Sequence, residues 1–507
     1  MKVKKALESY DINLDEITAK VSISREPKEF VPVYRLKYPK IKPTTWAMLD
    51  TIRERMIADM ELKPMEVVVP KEMDELRGKF IKDALVMIEN ELPHISKKKQ
   101  RILAAILTHQ SVGLGTIELL LHDPNIEEIA INSSKEPIWV YHIHLGWLKT
   151  NISLPSETII YNYAALIGRR VGAQITNLNP LMDAYLTTGD RSNATLFPIS
   201  SMGNTLTIRK FARRPWTITD FIKSKTITTE VAAFLWLAIQ YEINILIAGG
   251  TASGKTSMLN VLSCFIPPNH RIISIEETRE IQIPKFLHWV PLTTRPPNPE
   301  GKGEISMLQL MINSLRMRPD RVIFGEIRRA REAEVLFEAI HTGHSVYSTL
   351  HANTAEETLR RLTNPPINIP SALLGSLQLI VVMHRDRKKE IRRVLEVSEL
   401  LSETSKEQLK MELNPVYSWI PSKDSMIKIE KSIRTMDDIK LYTGMSDEAL
   451  NRDQEEKVKI LNWLVKNNVN DIHKVARIIS EYYADPKAVL KKVKLKPGQP
   501  TDSFRHF

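Results

Sequence analysis

The run Gly249-Gly-Thr-Ala-Ser-Gly-Lys-Thr256 has the G-x-x-x-x-G-K-T spacing of a loop built to hold a polyphosphate. Its glycines let backbone N–H groups close around a β-phosphate, and a helix beginning there adds its positive end. Lys255 can reach the β- and γ-phosphates, and the Thr256 hydroxyl can ligate Mg²⁺. Upstream, Ile243-Asn-Ile-Leu-Ile-Ala248 reads as a buried strand; downstream, Met258, Leu259, Val261, Leu262 and Phe265 space out as one face of a helix. The motif therefore sits between a strand and a helix, the context it needs. Its nucleotide-binding residues are Gly249, Gly250, Thr251, Ala252, Ser253, Gly254, Lys255, Thr256 and Ser257, and the expected cofactors are ATP and Mg²⁺.

Three later stretches carry further chemistry. Arg271-Ile-Ile-Ser-Ile-Glu276-Glu277-Thr-Arg-Glu280 is an apolar strand ending in carboxylates, where open α/β sheets bind ligands. Glu276, Glu277 and Glu280 are placed to orient water or hold metal. Asp320-Arg-Val-Ile-Phe-Gly-Glu326-Ile-Arg328 is a second apolar strand with Glu326 just past its end. Phe324 and Gly325 occupy the region where a strand-terminal Asp usually stands. Glu326 therefore takes two roles, polarising water and, with Thr256, positioning Mg²⁺. In the third, Ser345–Leu350 reads as a strand flanked by His344 and His351. These histidines suit a γ-phosphate sensor. With His341 they do not make a zinc site, because no cysteine is near and the spacing matches no compact metal motif.

These groups need a scaffold. The chain has 507 residues, 43% apolar and 26% charged, enough for two to four globular domains. Its single cysteine, Cys264, excludes an internal disulfide and a four-cysteine zinc site, and is expected to be buried after the phosphate loop. The start has no apolar signal-peptide core. Val231–Gly250 is mostly apolar but contains Gln240, Glu242 and Asn244, and reads as a core helix and strand, not a membrane span. The excess of 71 basic over 60 acidic side chains, +11 in all, favours an acidic partner: nucleic acid, anionic lipid or an acidic protein.

Four regions follow. Residues 1–112 read as an extended arm, punctuated by Pro32, Pro39 and Pro43, followed by helices near Thr45–Leu62, Lys71–Glu91 and Lys97–Leu107. Residues 113–215 read as an α+β domain ending in a linker at Arg213-Arg214-Pro215, and 216–400 as an alternating α/β domain. Residues 401–507 are polar and then helical, over Asp447–Lys466 and Asp471–Tyr483, with a frayed tail from Lys491.

Together the phosphate loop and the three stretches resemble the type II/type IV secretion ATPase superfamily, from near Gly115 to about Val397. Ile275-Glu-Glu-Thr-Arg-Glu280 matches its aspartate box, with Glu277 in place of the usual Asp. Leu315–Asp320 through Gly325–Arg328 resembles its atypical Walker B, and Thr342–Asn353 its histidine box. Pro180–Ala184, Gly189–Arg191 and Thr207–Phe211 resemble the approach to the ATPase domain. The missing zinc cysteines, the N-terminal region and Ala352-Asn-Thr354 look more like the archaeal branch, which powers archaella or type IV pili.

The resemblance implies a RecA-like phosphate-loop ATPase core with a preceding α+β domain and helical extensions at both ends. It implies Glu276, Glu277, Glu326, His344 and His351 as catalytic groups, and Arg191 and Arg209 as arginines supplied to the nucleotide, with Arg169 and Arg170 as weaker candidates. It further implies a hexameric ring on the cytoplasmic face of the membrane, acting on an integral-membrane platform protein, with anionic lipid as a further contact. A nucleic-acid motor is the alternative enzyme. It is disfavoured because no exposed aromatics interleave with Lys and Arg as stacking platforms need. A non-catalytic ATP-binding scaffold is the other, and the carboxylates and histidines argue against it.

Overall fold

The computed structural model describes residues 5–39, 41–59, 70–171, 173–186, 189–211, 214–295, 297, 301–389, 391–405 and 408–494. The chain divides near residue 213 into two compact units.

In the first unit one mixed sheet holds nine strands: β1 (Lys5–Leu14), β2 (Ile17–Arg25), β3 (Val33–Lys37), β4 (Ile126–Ile131), β5 (Trp139–His142), β6 (Gly146–Thr150), β7 (Leu181–Tyr185), β8 (Arg191–Thr195) and β9 (Thr205–Arg209). Their order is β1-β2-β3-β6-β5-β4-β9-β8-β7. The stretch expected as an extended arm is thus three strands of this sheet. β3 pairs in parallel with β6 (Val33 with Lys149), and the other described pairs are antiparallel. Strand β2 buries alternate residues, Ile17, Ala19, Val21 and Ile23, which is the two-residue period of a half-buried strand. That period is hidden among the Thr, Lys and Ser residues of the other face.

A polar anchor also ties the arm down. Buried Asp123 accepts hydrogen bonds from the hydroxyls of Tyr10 and Tyr34, each at 2.7 Å. Helices Pro43–Asp59, Pro70–Glu91 and Lys97–Val112 follow the arm, as periodicity suggests, and the last runs five residues past its expected end at Leu107. Positions 60–62, assigned to the first helix on sequence, lie outside the described residues.

The second unit is built on β10 (Ile245–Gly249), β11 (Ile272–Glu276), β12 (Trp289–Thr293), β13 (Arg321–Phe324), β14 (Ser345–Leu350), β15 (Leu379–Asp386), β16 (Ile391–Ser405), β17 (Gln408–Ile420) and β18 (Ser425–Lys428). The order is β12-β11-β13-β14-β10-β15-β16-β17-β18. The first six are parallel. In β10, β11, β13 and β14 every residue is buried, as expected when helices cover both faces. Strand order then brings Gly249, Glu276, Gly325 and His351 out at one edge, the carboxyl ends of the parallel strands.

Two features depart from the sequence reading. The polar stretch after residue 400 is the antiparallel extension β16–β18. The helices Asp447–Lys466 and Ile472–Ala484 share a core with the ATPase elements instead of forming a separate extension. Trp236, on the buried helix Thr229–Gln240, stacks on Phe265 with 5.3 Å between centroids and 1° between planes. Tyr483 closes this join, accepting from Trp236 Nε1 at 2.8 Å and donating to the Phe265 carbonyl at 2.6 Å. The last turn of the phosphate-loop segment is thus braced by helices more than two hundred residues away in sequence. A further helix, Pro486–Lys494, covers the start of the expected tail, whose positions 495–507 lie outside the described residues. Among the described residues no helix is long and apolar enough to cross a membrane.

Candidate functional site

The phosphate loop is shaped by three positive backbone angles: Gly249 at φ +155°, Ala252 at +57° and Gly254 at +97°. At Gly249 a side chain is excluded outright. An added Cβ would strike Ser253 Oγ and lie 2.6 Å from the Met383 carbonyl oxygen. Gly254 then caps the helix Lys255–Ser263, whose first N–H groups have no intrahelical partner and face the loop.

Lys255 is 8% exposed, and its Nζ donates to the carbonyls of Gly249 and Gly250 at 3.0 and 3.1 Å. Burial pulls its pKa below the usual lysine value, opposed by the attraction of Glu326 and Glu280. Ser253 is also buried and its hydroxyl has no hydrogen-bond partner among the described residues.

Glu326, His351 and Lys255 stand in a row. His351 Nε2 lies 3.4 Å from Lys255 Nζ and 3.0 Å from Glu326 Oε1. Burial first, and the Lys255 charge second, hold the imidazole below its ordinary pKa, so the ring is neutral at pH 7. A neutral Nε2 can accept from the ammonium or donate to the carboxylate, not both. Glu326 Oε2 is fixed by Arg328 Nε at 2.9 Å, whereas the buried Oε1 is approached, among the described residues, by His351 Nε2 at 3.0 Å. The same guanidinium reaches Glu277 through Nη1 at 2.6 Å. One arginine thus ties the ends of two neighbouring strands together, and leaves the other oxygen of Glu326 to face His351.

Glu276 is 3% exposed at the end of β11. Its Oε1 accepts from the N–H groups of Glu280 and Ile281 at 2.9 and 3.0 Å, while Oε2 is buried and has no hydrogen-bond partner among the described residues. Burial raises its pKa to about 7, against the pull of those N–H groups. The carboxyl is therefore protonated in an appreciable fraction near neutrality, and can donate from Oε2 as well as accept. A raised folded-state pKa lowers stability as pH climbs from the unfolded value near 4.5 to about 7. The span amounts to about 3 kcal/mol at 1.36 kcal/mol per pKa unit. Glu276→Gln is expected to flatten this part of the pH–stability profile and to leave the variant the more stable protein at pH 8. Urea unfolding of both proteins from pH 4.5 to 8 checks it, and parallel profiles would refute it.

Not every expected residue joins this cluster. His344 lies at the amino end of β14, hydrogen-bonded to the Ala339 carbonyl at 3.2 Å and near Thr342 Oγ1 at 3.3 Å. His351 follows the opposite end, roughly 20 Å away at about 3.3 Å per residue. The strand between them separates the two, so His344 cannot sense a phosphate at this loop. His341 ends the helix Ala330–His341, and among the described residues no group of three His, Cys, Asp or Glu could hold a metal.

Within the first unit, Arg191 and Arg209 are direct cross-strand partners on β8 and β9. Arg191 is engaged by Asp183 at 2.6 and 3.0 Å, and Arg209 faces Glu128 across β4. Arg170 donates to the Val112 carbonyl at 2.8 Å, a structural contact at the end of helix Glu157–Arg170; Arg169 is exposed on the preceding position.

Two contributors escaped the sequence reading. Asn353 brings Oδ1 to 3.0 Å from where a Cβ on Gly250 would lie, and is itself held through its N–H and Nδ2 by Glu357 at 2.8 and 3.1 Å. Arg328 was visible only as part of a box, because its two partners come from different strands.

As for Mg²⁺, the residues fit. Glu326 Oε1, which Arg328 does not engage, supplies a hard oxygen donor, and Thr256 at the first turn of the helix is half-buried and supplies the hydroxyl.

A family model described as "Type II/IV secretion system protein" matches residues 191–412. The uncharacterized protein MJ0900 of Methanocaldococcus jannaschii is 31% identical over 509 residues, covering 91% of each chain. The type IV secretion system protein PtlH of Bordetella pertussis is 31% identical over 261 residues, 47% of this chain and 76% of its own. The crystal structure of the pilus retraction motor PilT with bound ADP aligns over 75% of this chain and 96% of that chain, at 16% identity and a TM-score of 0.41. The matched segment contains the phosphate loop, Glu276, Glu326 and His351, and together with the likeness to PtlH it shows that this chain belongs to the type II/type IV secretion ATPase superfamily.

Proposed function

We propose that this protein is a Mg²⁺-dependent ATPase motor that drives assembly or secretion of pilin-like filament subunits through a membrane platform protein. The observation that carries the reading is the row Lys255–His351–Glu326, in which the buried Oε1 of Glu326 is left free by Arg328 and faces His351. In this reading Lys255 exchanges its two carbonyl partners for phosphate oxygens. Glu326 orients the attacking water through Oε1, and Arg328 keeps that carboxylate from rotating. Neutral His351 accepts from Lys255 or donates towards the γ-phosphate without adding charge of its own. Mg²⁺, held by Thr256 and Glu326, would neutralise charge developing on the β- and γ-phosphates. Glu276, protonated in part, supports the Glu326 strand end instead of acting as the base.

Arg191 and Arg209 remain the candidates for arginines that complete the transition state. An arginine finger contributes about 10³–10⁵ in rate, and a site finished by a neighbour's arginine calls for a ring, here a hexamer. The basic balance of the chain, +11, suits the cytoplasmic face of an anionic membrane. With vesicles containing anionic lipid, Mg²⁺-dependent phosphate release by the purified protein is expected to rise severalfold. Single-stranded DNA is expected to leave it unchanged. Stimulation by DNA alone would replace this reading with a nucleic-acid motor.

A further inference from the structure

The phosphate loop is gripped from the side opposite Glu326 by a residue that none of the boxes contains. In the sheet order, β13 and β14, which carry Glu326 and His351, lie on one side of β10, while β15 and β16 lie on the other. β15 runs parallel to β10 with Met383 beside Gly249, and β16 returns antiparallel with an irregularity in register at Met383. Such bulges twist a strand and re-aim its side chains.

Alternation then separates two adjacent arginines. Arg393 is buried and paired with Asp424 at 2.7 and 2.9 Å. Arg392 emerges on the other face, where its Nε donates to the Ala252 carbonyl at 3.2 Å. Its stem lies against the start of the phosphate-loop helix, with Cδ 3.5 Å from where a Cβ on Gly254 would stand.

Two features make this more than a surface contact. Ala252 is the non-glycine residue of the loop held at positive φ, +57°, a conformation costing about 1–2 kcal/mol for an L-residue. Arg392 binds the carbonyl of that same residue. In addition, Arg392 meets a backbone carbonyl and, among the described residues, no carboxylate. An anion seated in the adjacent loop would pair with that charge.

We infer that Arg392 is a positioning residue of the nucleotide site: it fixes the strained Ala252 peptide and adds positive charge to the phosphates that ADP and ATP share. This rests on the nucleotide-binding reading above. Because Arg392 stands across β10 from Glu326, its contribution falls on binding, not on the hydrolytic step.

The test is equilibrium binding of fluorescent ADP and of a non-hydrolysable ATP analogue to the full chain, with wild type, Arg392→Gln, Arg392→Lys and Lys255→Ala compared. A charge-assisted hydrogen bond at a polyphosphate translates to roughly tenfold in affinity. Arg392→Gln is expected to weaken both nucleotides by about that factor, equally, and to raise KM while kcat changes by less than about threefold. Arg392→Lys, which keeps the charge and loses the Nε clasp, is expected to fall between. Wild-type affinity for both nucleotides in Arg392→Gln, or a fall in kcat without a change in binding, overturns the inference. Should Arg392→Gln fail to fold, as judged by thermal unfolding without nucleotide, Arg392→Lys decides: weakened binding supports the role and unchanged binding overturns it. If wild type itself binds neither nucleotide, or Lys255→Ala binds as well as wild type, the nucleotide reading fails first and this inference with it.

Discussion

Lys255→Ala is expected to weaken ATP and ADP binding by roughly two to three orders of magnitude and to abolish turnover. Truncating one member of a desolvated charge pair costs about 2–5 kcal/mol, and each 1.4 kcal/mol is tenfold in affinity. Lys255 is 8% exposed, so its charge meets the phosphates with little water between. The same burial lowers its pKa, which means that the folded protein bears a desolvation cost to keep the ammonium there. Removing the side chain should therefore leave the midpoint of unfolding without nucleotide unchanged or slightly raised. With ligand the contrast is large: at a hundred times Kd, wild type gains about 2.7 kcal/mol, and the variant gains nearly none. Thermal unfolding with and without Mg²⁺-ATP reads both effects at once. A variant that unfolds at lower temperature even without nucleotide would show that Lys255 serves the fold instead.

Glu326→Gln should separate binding from chemistry. The amide keeps the size of the side chain and can still meet Arg328, but it cannot take a proton from water. General-base contributions are typically 10²–10⁴-fold, so kcat is expected to fall within that range while nucleotide affinity stays within about threefold. Single-turnover phosphate release beside equilibrium binding measures the two quantities separately. Retention of more than a tenth of wild-type turnover would move the role of base elsewhere, with Glu276 as the next candidate. That outcome has a physical basis, since Glu276 has a buried carboxylate oxygen with no hydrogen-bond partner among the described residues.

Both expectations trace to residues legible in one dimension. The phosphate loop could be read because every requirement on it is local. A glycine at φ +155°, a turn into a helix and a lysine one position later all fall within eight residues. The strands β10, β11, β13 and β14 were legible for a related reason. A strand covered on both faces is apolar throughout, so it stands out without knowledge of its neighbours.

Other elements obey a signal that the local sequence dilutes. β2 buries only alternate residues, and its exposed face made the first stretch look like a loose arm. The strands on either side of it, β1 and β3, are tied through Tyr10 and Tyr34 to Asp123, about a hundred residues further along the chain. The polar strands β16–β18 were hidden in the same way.

Sequence alone determined the groups at the centre: which loop has the spacing and backbone freedom to hold phosphate, and which carboxylates end the strands beside it. Tertiary structure decided which candidates share that centre. His344 and His351 are equally placed in the histidine box, yet a fully extended strand sends them to opposite edges of the sheet. Arg392, far from any box, reaches the loop because sheet order sets β15 beside β10 and β16 beside β15. Proximity across a sheet follows from strand order and register, quantities set by long-range pairing, and no local spacing encodes them.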